Sequence, residues 1–208
     1  LGTQAEFVKL DVTDEQAAEQ FFKDVVAKYG AVYGLVNCAG IGPSAKVVGK
    51  ESVHDLAMFS KTLHINVTGT FNMLRFAADA MSKNIVAEGD EDRGVIVNTA
   101  SVAAFDGQIG QAAYSASKGA VVAMTLPIAR ELARHQIRVL TIAPGIMETP
   151  MLKGLPQNVQ DALGQMVPYP SRLGRPEEFA RLVAHIAENS YLNGEVIRLD
   201  GGIRMAAK

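Results

Sequence analysis

The sequence predicts a doubly wound α/β fold, in which a parallel sheet carries helices on both of its faces. Short apolar runs alternate with longer amphipathic stretches along the chain, and this alternation is typical of strands and helices that follow one another. The apolar runs are rich in Val, Ile and Leu with little polar alternation, as strands covered on both faces require. The 208 residues are enough for one hydrophobic core, so a single domain is expected.

Each element has its own signal in the chain. The predicted strands are residues 6–12, 32–40, 94–101, 137–145 and 194–202, and the predicted helices are residues 14–29, 51–84, 112–134 and 176–188. The first helix has the clearest ends, because Thr13 or Asp14 can cap its start and Gly30 follows a last turn that contains a lysine.

Composition and charge exclude several kinds of partner. Hydrophobic residues make up 48% and charged residues 20% of the chain, and the net charge is -2. The pI is near 6.1 and the mean hydropathy is +0.10. Because the basic residues are scattered, neither nucleic acid nor an anionic membrane is expected as a partner. The longest apolar run, residues 120–129, is about half of the roughly 20 residues that a membrane span requires. A small-molecule partner is expected.

Cysteine content and the start of the chain bear on the compartment. Cys38 is the only cysteine, so no internal disulfide can form, and this is typical of a reducing compartment. No signal-peptide pattern opens the chain at Leu1. We expect a cytoplasmic protein if the source is bacterial, and a mitochondrial targeting segment ahead of Leu1 stays open.

The carboxyl ends of the predicted strands carry unusual residues. They read "LDV", "NCAG", "NTAS", "APG" and "LDGG". Gly and Asn also serve ordinary turns, so any single end could be structural. Ligands of open parallel sheets bind outside the carboxyl ends of the strands, however, and several such ends on one rim favour a ligand site.

Three polar side chains are predicted to meet on that rim. Ser101 ends a predicted strand, Tyr114 begins the next helix, and Lys118 follows Tyr114 by one turn on the same helix face. The Tyr and Lys spacing alone also fits an ordinary surface pair. The serine at a strand end 13 residues before the tyrosine makes the combination more specific.

These three groups together predict a chemistry. A lysine ammonium near a tyrosine favours the phenolate and lowers its pKa from about 10, so that the phenol can exchange protons. A serine hydroxyl can hydrogen-bond the oxygen of a carbonyl or an alcohol. The trio therefore predicts proton transfer at a substrate oxygen while a hydride moves at the neighbouring carbon.

These motifs, "NTAS" before "YSASK" with "NCAG" upstream and "APG" downstream, resemble the short-chain dehydrogenase/reductase family over nearly the whole chain. The resemblance implies a Rossmann-type fold and a nicotinamide cofactor. It also implies a catalytic group of Ser101, Tyr114, Lys118 and Asn66, in which Asn66 anchors a water of a proton relay.

The resemblance further implies a set of cofactor-binding residues. Asp11 and Val12 would contact the adenine, residues 37–40 the adenosine ribose, and the segment after "APG" the nicotinamide carboxamide. The implied set is Asp11, Val12, Asn37, Cys38, Ala39, Gly40, Tyr114, Lys118, Pro144, Gly145, Met147 and Thr149. Cys38 stands where the family usually has a second asparagine.

Longer stretches, among them "SVAAFDGQIGQAAYSASKGA" and "NGEVIRLDGGIRM", resemble the branch of the family that acts on 3-hydroxyacyl-CoA. This narrower resemblance implies reversible, NAD-dependent oxidation to the 3-oxoacyl-CoA, with Gln108 on the substrate side beside Ser101 and Tyr114. It implies no metal. The predicted helices over residues 51–84 and 112–134 carry more apolar and small residues than one sheet face needs, and because the wider family commonly pairs such helices into tetramers, a homotetramer is expected. Two alternatives stay open: an NADPH-dependent 3-oxoacyl carrier-protein or steroid reductase, and an inactive, truncated binding or scaffolding protein. NADP as cofactor also stays open.

One motif of the family is missing. The glycine-rich turn that holds the cofactor pyrophosphate does not occur, since "AGIGPSAK" follows the wrong strand and lacks the third glycine. We therefore expect residues 1–208 to be one N-terminally incomplete domain without the first βαβα portion. The missing first strand would lie between strands 6–12 and 32–40.

Residues 147–173 are too long for a simple connection and are predicted to form a substrate lid. The apolar residues suited to an acyl chain or steroid are Met147, Met151, Leu152, Leu155, Leu163, Met166 and Val167. Gly154, Pro156 and Gly164 would permit hinge movement. The alternative is a short amphipathic helix packed permanently on the core.

Overall fold

The structure is a computed structural model that describes residues 2–86, 88–149, 152, 154 and 156–207. Its strands are β1 (Gly34–Asn37), β2 (Gly94–Thr99), β3 (Ile137–Pro144) and β4 (Val196–Leu199). Its α-helices are α1 (Glu15–Tyr29), α2 (Leu56–Leu63), α3 (Thr70–Ser82), α4 (Ala112–Leu132), α5 (Gln157–Gln165) and α6 (Pro176–Glu188). A π-helical turn (His64–Gly69) joins α2 to α3, and 3-10 turns cover Gly2–Gln4, Val102–Ala104 and Ala133–His135.

The four strands form one parallel sheet in the order β1-β2-β3-β4. Neighbouring residues of a strand face opposite sides of the sheet. Ile96 of β2 packs in a cluster with α1 and α3, whereas the next residue, Val97, packs in a cluster with α6. Helices therefore cover both faces, which confirms the predicted doubly wound α/β fold.

The strand predicted at residues 6–12 is wrong, because these residues are not part of a sheet in the structure. Phe7 is 88% exposed. No strand among the described residues lies beside this segment, and β1 pairs only with β2. Strand geometry is stable only when its backbone groups are paired. That a preceding portion would supply the partner stays a prediction.

The segment is nevertheless held against the helices. Leu10 and Val12 pack on the cluster that contains α1 and α3. The Asn72 side chain of α3 donates from Nδ2 to the carbonyl oxygen of Val12 over 3.0 Å. Residues 10–12 thus have a defined place next to α3.

Local capping accounts for the ends of α1. The Asp14 side chain accepts a hydrogen bond from the backbone N–H of Ala17 over 2.9 Å, which satisfies one free donor of the first turn. Gly30 ends the helix with a φ of +87°, a conformation that glycine adopts without strain. The predicted helix over residues 14–29 is confirmed.

The predicted helix over residues 51–84 is shorter and is interrupted. Residues 48–53 form a small antiparallel turn in which Val48 pairs with Val53, and the helix begins only after the Asp55 side chain caps it. A π-helical turn at His64–Gly69 then inserts before α3. Such bulges are frequent at functional sites, and this one contains Asn66.

Candidate active site

Ser101 stands two residues beyond β2, at the carboxyl edge of the sheet. Its backbone is extended and it caps the short turn Val102–Ala104, where Oγ accepts from the N–H of Ala103 over 3.1 Å. A hydroxyl that accepts through oxygen keeps its own proton for donation. Within the described part of the chain, Ser101 makes no hydrogen bond to Tyr114.

Tyr114 and Lys118 lie on one face of α4 and point to the same edge. The Nζ atom of Lys118 lies 5.8 Å from the centroid of the Tyr114 ring. The same Nζ donates to the carbonyl oxygen of Thr99, the last residue of β2, over 2.8 Å. The structure therefore brings the predicted tyrosine and lysine together beside the strand that leads to Ser101.

The Lys118 ammonium is buried, with 6% of the residue exposed. Burial lowers the pKa of Lys118 to about 8, and nearby Cys38 has a smaller opposing effect. At neutral pH the protonated form still predominates. An ammonium has three donors, and the structure pairs one of them, with Thr99, among the described residues. The others can serve a ligand.

Asn66 is almost fully buried and holds the chain that follows β1. Its Oδ1 accepts from the N–H of Ile41 over 2.8 Å, and its Nδ2 donates to the carbonyl of Ile41 over 2.8 Å and to Oγ of Ser117 over 2.9 Å. Ser117 in turn donates to the carbonyl of Tyr114 over 2.7 Å. The side chain thus ties the turn after β1 to α4. The predicted role of Asn66 in anchoring a water stays a prediction.

Residues 37–40 prove to have two different roles in the structure. Asn37 is buried, and its Nδ2 donates to Oδ1 of Asn98 over 2.9 Å, so it ties β1 to β2. Cys38, Ala39 and Gly40 are exposed at the sheet edge. The Cys38 sulfur lies 3.6 Å from Oγ1 of Thr99, and this contact places it beside the carbonyl that holds Lys118.

Glycines keep open the space in front of the tyrosine and lysine. A Cβ at Gly40 would lie 3.1 Å from Oδ1 of Asn66 and 3.5 Å from Nζ of Lys118, and a Cβ at Gly42 would lie 3.4 Å from the Tyr114 ring. The backbone itself therefore lines this space. An exposed glycine-lined edge with a buried ammonium at its base fits the ribose end of a nicotinamide cofactor.

Asp11 and Val12 border the same helix that carries Asn66. Asp11 is exposed, and its carboxylate accepts from the backbone N–H and the hydroxyl of Thr13 over 2.9 and 2.7 Å. These two hydrogen bonds, the backbone one first, hold the pKa of Asp11 below its ordinary value. Val12 packs so close to Gly69 that a Cβ there would lie 2.6 Å from its Cγ2. Their predicted contact with adenine stays a prediction.

The segment after β3 is built on close backbone packing. Pro144 ends β3, and a Cβ at Gly145 would lie 2.9 Å from Cα of Asp200, so only glycine fits there. Met147 pairs with Gly174 and packs its sulfur over that glycine. Thr149 is exposed, and its Oγ1 accepts from the N–H of residue 152 over 3.3 Å. Cofactor contact by these residues stays a prediction.

Gln108 lies in the loop of residues 105–111 between Ser101 and α4. Its backbone N–H donates to Oε1 of Gln111 over 2.9 Å, and its Nε2 donates to the carbonyl of Ala206 over 3.1 Å. The loop also meets the chain after β1, because Gly110 accepts from the N–H of Ala45 over 2.9 Å. The predicted substrate-side residue is therefore on a loop that is held from two sides.

Part of the predicted lid, at residues 150, 151, 153 and 155, lies outside the described residues, and these include Met151 and Leu155. The described part contains α5, and Val167 and Leu173 are buried. Gly164 is buried too, with a Cβ position 3.2 Å from Cα of Arg172. Arg172 forms a bidentate ion pair with Glu178 of α6, in which each guanidinium Nη donates to one carboxylate oxygen. The lid and the packed helix both stay predictions.

Sequence reasoning missed the groups that hold the side chains predicted to be catalytic. The carbonyl of Thr99, the backbone of Ile41 and the hydroxyl of Ser117 have no motif of their own. Of these groups, only Ser117 could have been suspected from the sequence, because it stands in "YSASK" one residue before the lysine.

No three His, Cys, Asp or Glu side chains in the described part of the chain form a group that could hold a metal ion. No helix found there has the length and hydropathy that crossing a membrane requires.

Comparisons with known proteins agree with this geometry. The family model described as enoyl-(acyl carrier protein) reductase matches residues 1–204. The 3-hydroxyacyl-CoA dehydrogenase type-2 of Homo sapiens is 53% identical over 207 residues, which are 99% of this chain and 79% of that protein. The 3-oxoacyl-[acyl-carrier-protein] reductase of Thermotoga maritima is 38% identical over 93% of this chain and 75% of that protein.

A solved structure agrees as well. The crystal structure of 3-hydroxyacyl-CoA dehydrogenase type-2 from Mycobacterium avium superposes with a TM-score of 0.93 at 37% identity, covering 100% of this chain and 80% of that one. The chain is therefore an enzyme of the short-chain dehydrogenase/reductase family, whose members are oxidoreductases that work with a nicotinamide cofactor.

Proposed function

We propose that the enzyme interconverts a 3-hydroxyacyl-CoA and the corresponding 3-oxoacyl-CoA with NAD as cofactor. The observation that carries the proposal is the buried Lys118 ammonium beside the Tyr114 ring, at the strand end that leads to Ser101. The substrate and the choice of NAD are supported by the resemblance of long stretches of the chain to that branch of the family. The Homo sapiens relative, which is 53% identical to this chain, and the Mycobacterium avium protein of the solved structure, which is 37% identical, are both named as 3-hydroxyacyl-CoA dehydrogenase type-2. Their names support the same substrate.

In the oxidative direction the substrate loses a hydride from its hydroxyl-bearing carbon and a proton from the hydroxyl oxygen. A bound nicotinamide cofactor would supply the acceptor for that hydride. Tyr114 takes the proton, and the positive charge of Lys118 beside the ring stabilises the phenolate that must do so. Ser101, whose Oγ already accepts from the N–H of Ala103, donates a hydrogen bond to the substrate oxygen and so orients it, while its own proton stays on Oγ.

Lys118 has a second role in this proposal. Its remaining donors would hold the ribose hydroxyls next to Gly40, where the absence of a side chain leaves room. Asn66 keeps that room in place, because it fixes the turn after β1 through Ile41. In this proposal the reacting carbon would lie near Tyr114, with Gln108 on the substrate side.

The proposal predicts that the purified enzyme oxidises NADH when acetoacetyl-CoA is added, because reduction of the 3-oxo group consumes one hydride. The fall in the absorbance band of the reduced nicotinamide measures the rate of NADH oxidation directly. A parallel assay with NADPH is the control for cofactor choice. Faster turnover with NADPH would favour the carrier-protein or steroid reductase, and no turnover with any carbonyl substrate would favour the binding or scaffolding protein.

We also propose that the enzyme is a homotetramer. Apolar side chains of the helices stay in contact with solvent in the single chain, among them Leu56 of α2, Phe71 of α3 and Leu126 of α4. Pairing of such helices between copies would remove this surface from water. Light scattering of the intact protein is expected to give about four times the mass of its chain. A monomeric mass would contradict the proposal.

A further inference from the structure

Residues 203–207 lie on the loop of residues 105–111, which joins the turn after Ser101 to α4. The N–H of Ile109 donates to the carbonyl of Ala207 over 3.0 Å. Nε2 of Gln108 donates to the carbonyl of Ala206, and the N–H of Met205 donates to the Asp106 carboxylate. Residues 203–207, which we call the C-terminal segment, are therefore bonded along the loop of residues 105–111.

One arginine joins this segment, the loop and the sheet. Arg198 extends from β4 and its Nη2 donates to Oδ2 of Asp106 over 2.6 Å and to the carbonyl of Ile203 over 3.0 Å. Its Nε donates to Oδ2 of Asp200 over 2.7 Å. The planar guanidinium can serve several acceptors at fixed angles, which a lysine cannot do. The side chains of Arg198 and Asp106 are both largely buried, so the pair is shielded from solvent.

The turn that follows β4 directs the segment toward the loop. Gly201 and Gly202 have φ values of +60° and +82°, which favour glycine. The N–H of Gly202 donates to Oδ1 of Asp200 over 2.9 Å, and the N–H of Ile203 donates to the carbonyl of Asp200 over 3.1 Å. Because Arg198 binds both Asp200 and Ile203, it holds the two ends of this turn.

The contact with the segment also sets the orientation of the Gln108 amide. A carbonyl oxygen can only accept, so the Nε2 end of the amide must face Ala206. The other end is therefore the acceptor Oε1. A shift of the C-terminal segment would release this amide and let its donor and acceptor ends exchange.

We propose that Arg198 is a positioning residue for the substrate: it docks the C-terminal segment on the loop of residues 105–111 and so fixes the amide of Gln108. Arg198 acts through Gln108 and does not contact the reacting atoms. The inference rests on the proposed function in one respect, the place of Gln108 on the substrate side.

The test separates substrate binding from chemistry. Arg198→Met is expected to raise KM for acetoacetyl-CoA about tenfold, the effect of losing one ordered hydrogen bond, and to change kcat by less than about twofold. Binding of NADH, followed by fluorescence, should not change. Arg198→Lys should recover part of the KM, because it keeps the charge but not the fork of donors. Arg181→Met, which removes an exposed arginine elsewhere, is the control.

A deletion that leaves Arg198 in place covers the case in which Arg198→Met folds poorly, and a double mutant tests whether Arg198 and Gln108 act at one amide. Removal of residues 205–208 deletes the acceptor of Gln108 but leaves Arg198 and Asp106, and it is expected to raise KM by a similar factor. Combining Arg198→Met with Gln108→Ala should raise KM no further than Gln108→Ala alone, because both act at one amide. Independent, multiplying effects would overturn the proposal. A lower melting temperature and kcat with unchanged KM would overturn it too, since they indicate a merely structural role.

Failure of the proposed function would look different. The unchanged enzyme would then leave acetoacetyl-CoA untouched while reducing another ketone. The KM of the same variants would then be measured with that ketone. It should change if Arg198 positions the substrate, and it should stay the same if Arg198 does not.

Discussion

Tyr114→Phe is expected to lower kcat by about a thousandfold, because it removes the only atom that exchanges a proton with the substrate oxygen in the proposed reaction. The ring would remain, and with it the contact that places Lys118 Nζ 5.8 Å from the ring centroid. Lys118 would keep its hydrogen bond to Thr99. Binding of NADH, measured by fluorescence titration, is therefore expected to change by less than about threefold.

A matched substitution separates this effect from a general loss of tyrosine hydroxyls. Tyr191 is 98% exposed, far from α4 in sequence, so Tyr191→Phe should leave kcat unchanged. Melting temperatures of both variants serve as the folding control. Should Tyr114→Phe retain a rate near that of the unchanged enzyme, the assignment of Tyr114 as acid and base would be wrong.

The fold could be predicted wherever its causes are local. The side chain of Asp14 and the freedom of Gly30 define the ends of α1, and both are visible in the sequence. The apolar run of β3 reveals a strand covered on both faces, with each residue from Ile137 to Ala143 buried. Signals of this kind depend on residues next to one another in the chain.

Predictions failed where the outcome depends on distant parts of the molecule. Residues 6–12 have the composition of a strand, but strand geometry requires a partner, and composition does not reveal one. The π-helical turn at His64–Gly69 likewise has no composition of its own. It surrounds Asn66, whose contacts with Ile41 and Ser117 join parts of the chain separated by 25 and 51 positions.

The candidate site shows the same division. The helix period places Tyr114 and Lys118 on one face, so their approach could be predicted from spacing alone. The acceptor of Lys118 is a backbone carbonyl, at Thr99, and every residue has one. The ion pair of Arg198 with Asp106 joins positions 92 apart. Such contacts become visible only when the sheet is assembled.

Burial of Lys118 leads to a prediction about pH. Its pKa is lowered to about 8 in the folded protein without ligand, whereas an unfolded chain keeps the ordinary value of 10.5. Between these two values the unfolded chain binds a proton that the folded protein has released, so this group makes the free energy of unfolding rise with pH across that window. Below pH 8 both states are protonated and its contribution is constant.

Lys118→Ala should be at least as damaging to turnover as Tyr114→Phe, because it removes both the charge that stabilises the phenolate and the donors proposed for the ribose. We expect kcat/KM to fall by at least about a thousandfold and NADH binding to weaken, which Tyr114→Phe would not do. In Lys118→Ala the free energy of unfolding should rise less between pH 8 and 10.5 than in the unchanged enzyme, because the contribution of Lys118 is lost. Lys83→Ala is the matched control, because Lys83 is exposed and, among the described residues, forms an ion pair with Asp79 one helical turn earlier. If the pH profile of the rate were the same with and without Lys118, the lysine could not be the group that prepares Tyr114 for proton transfer.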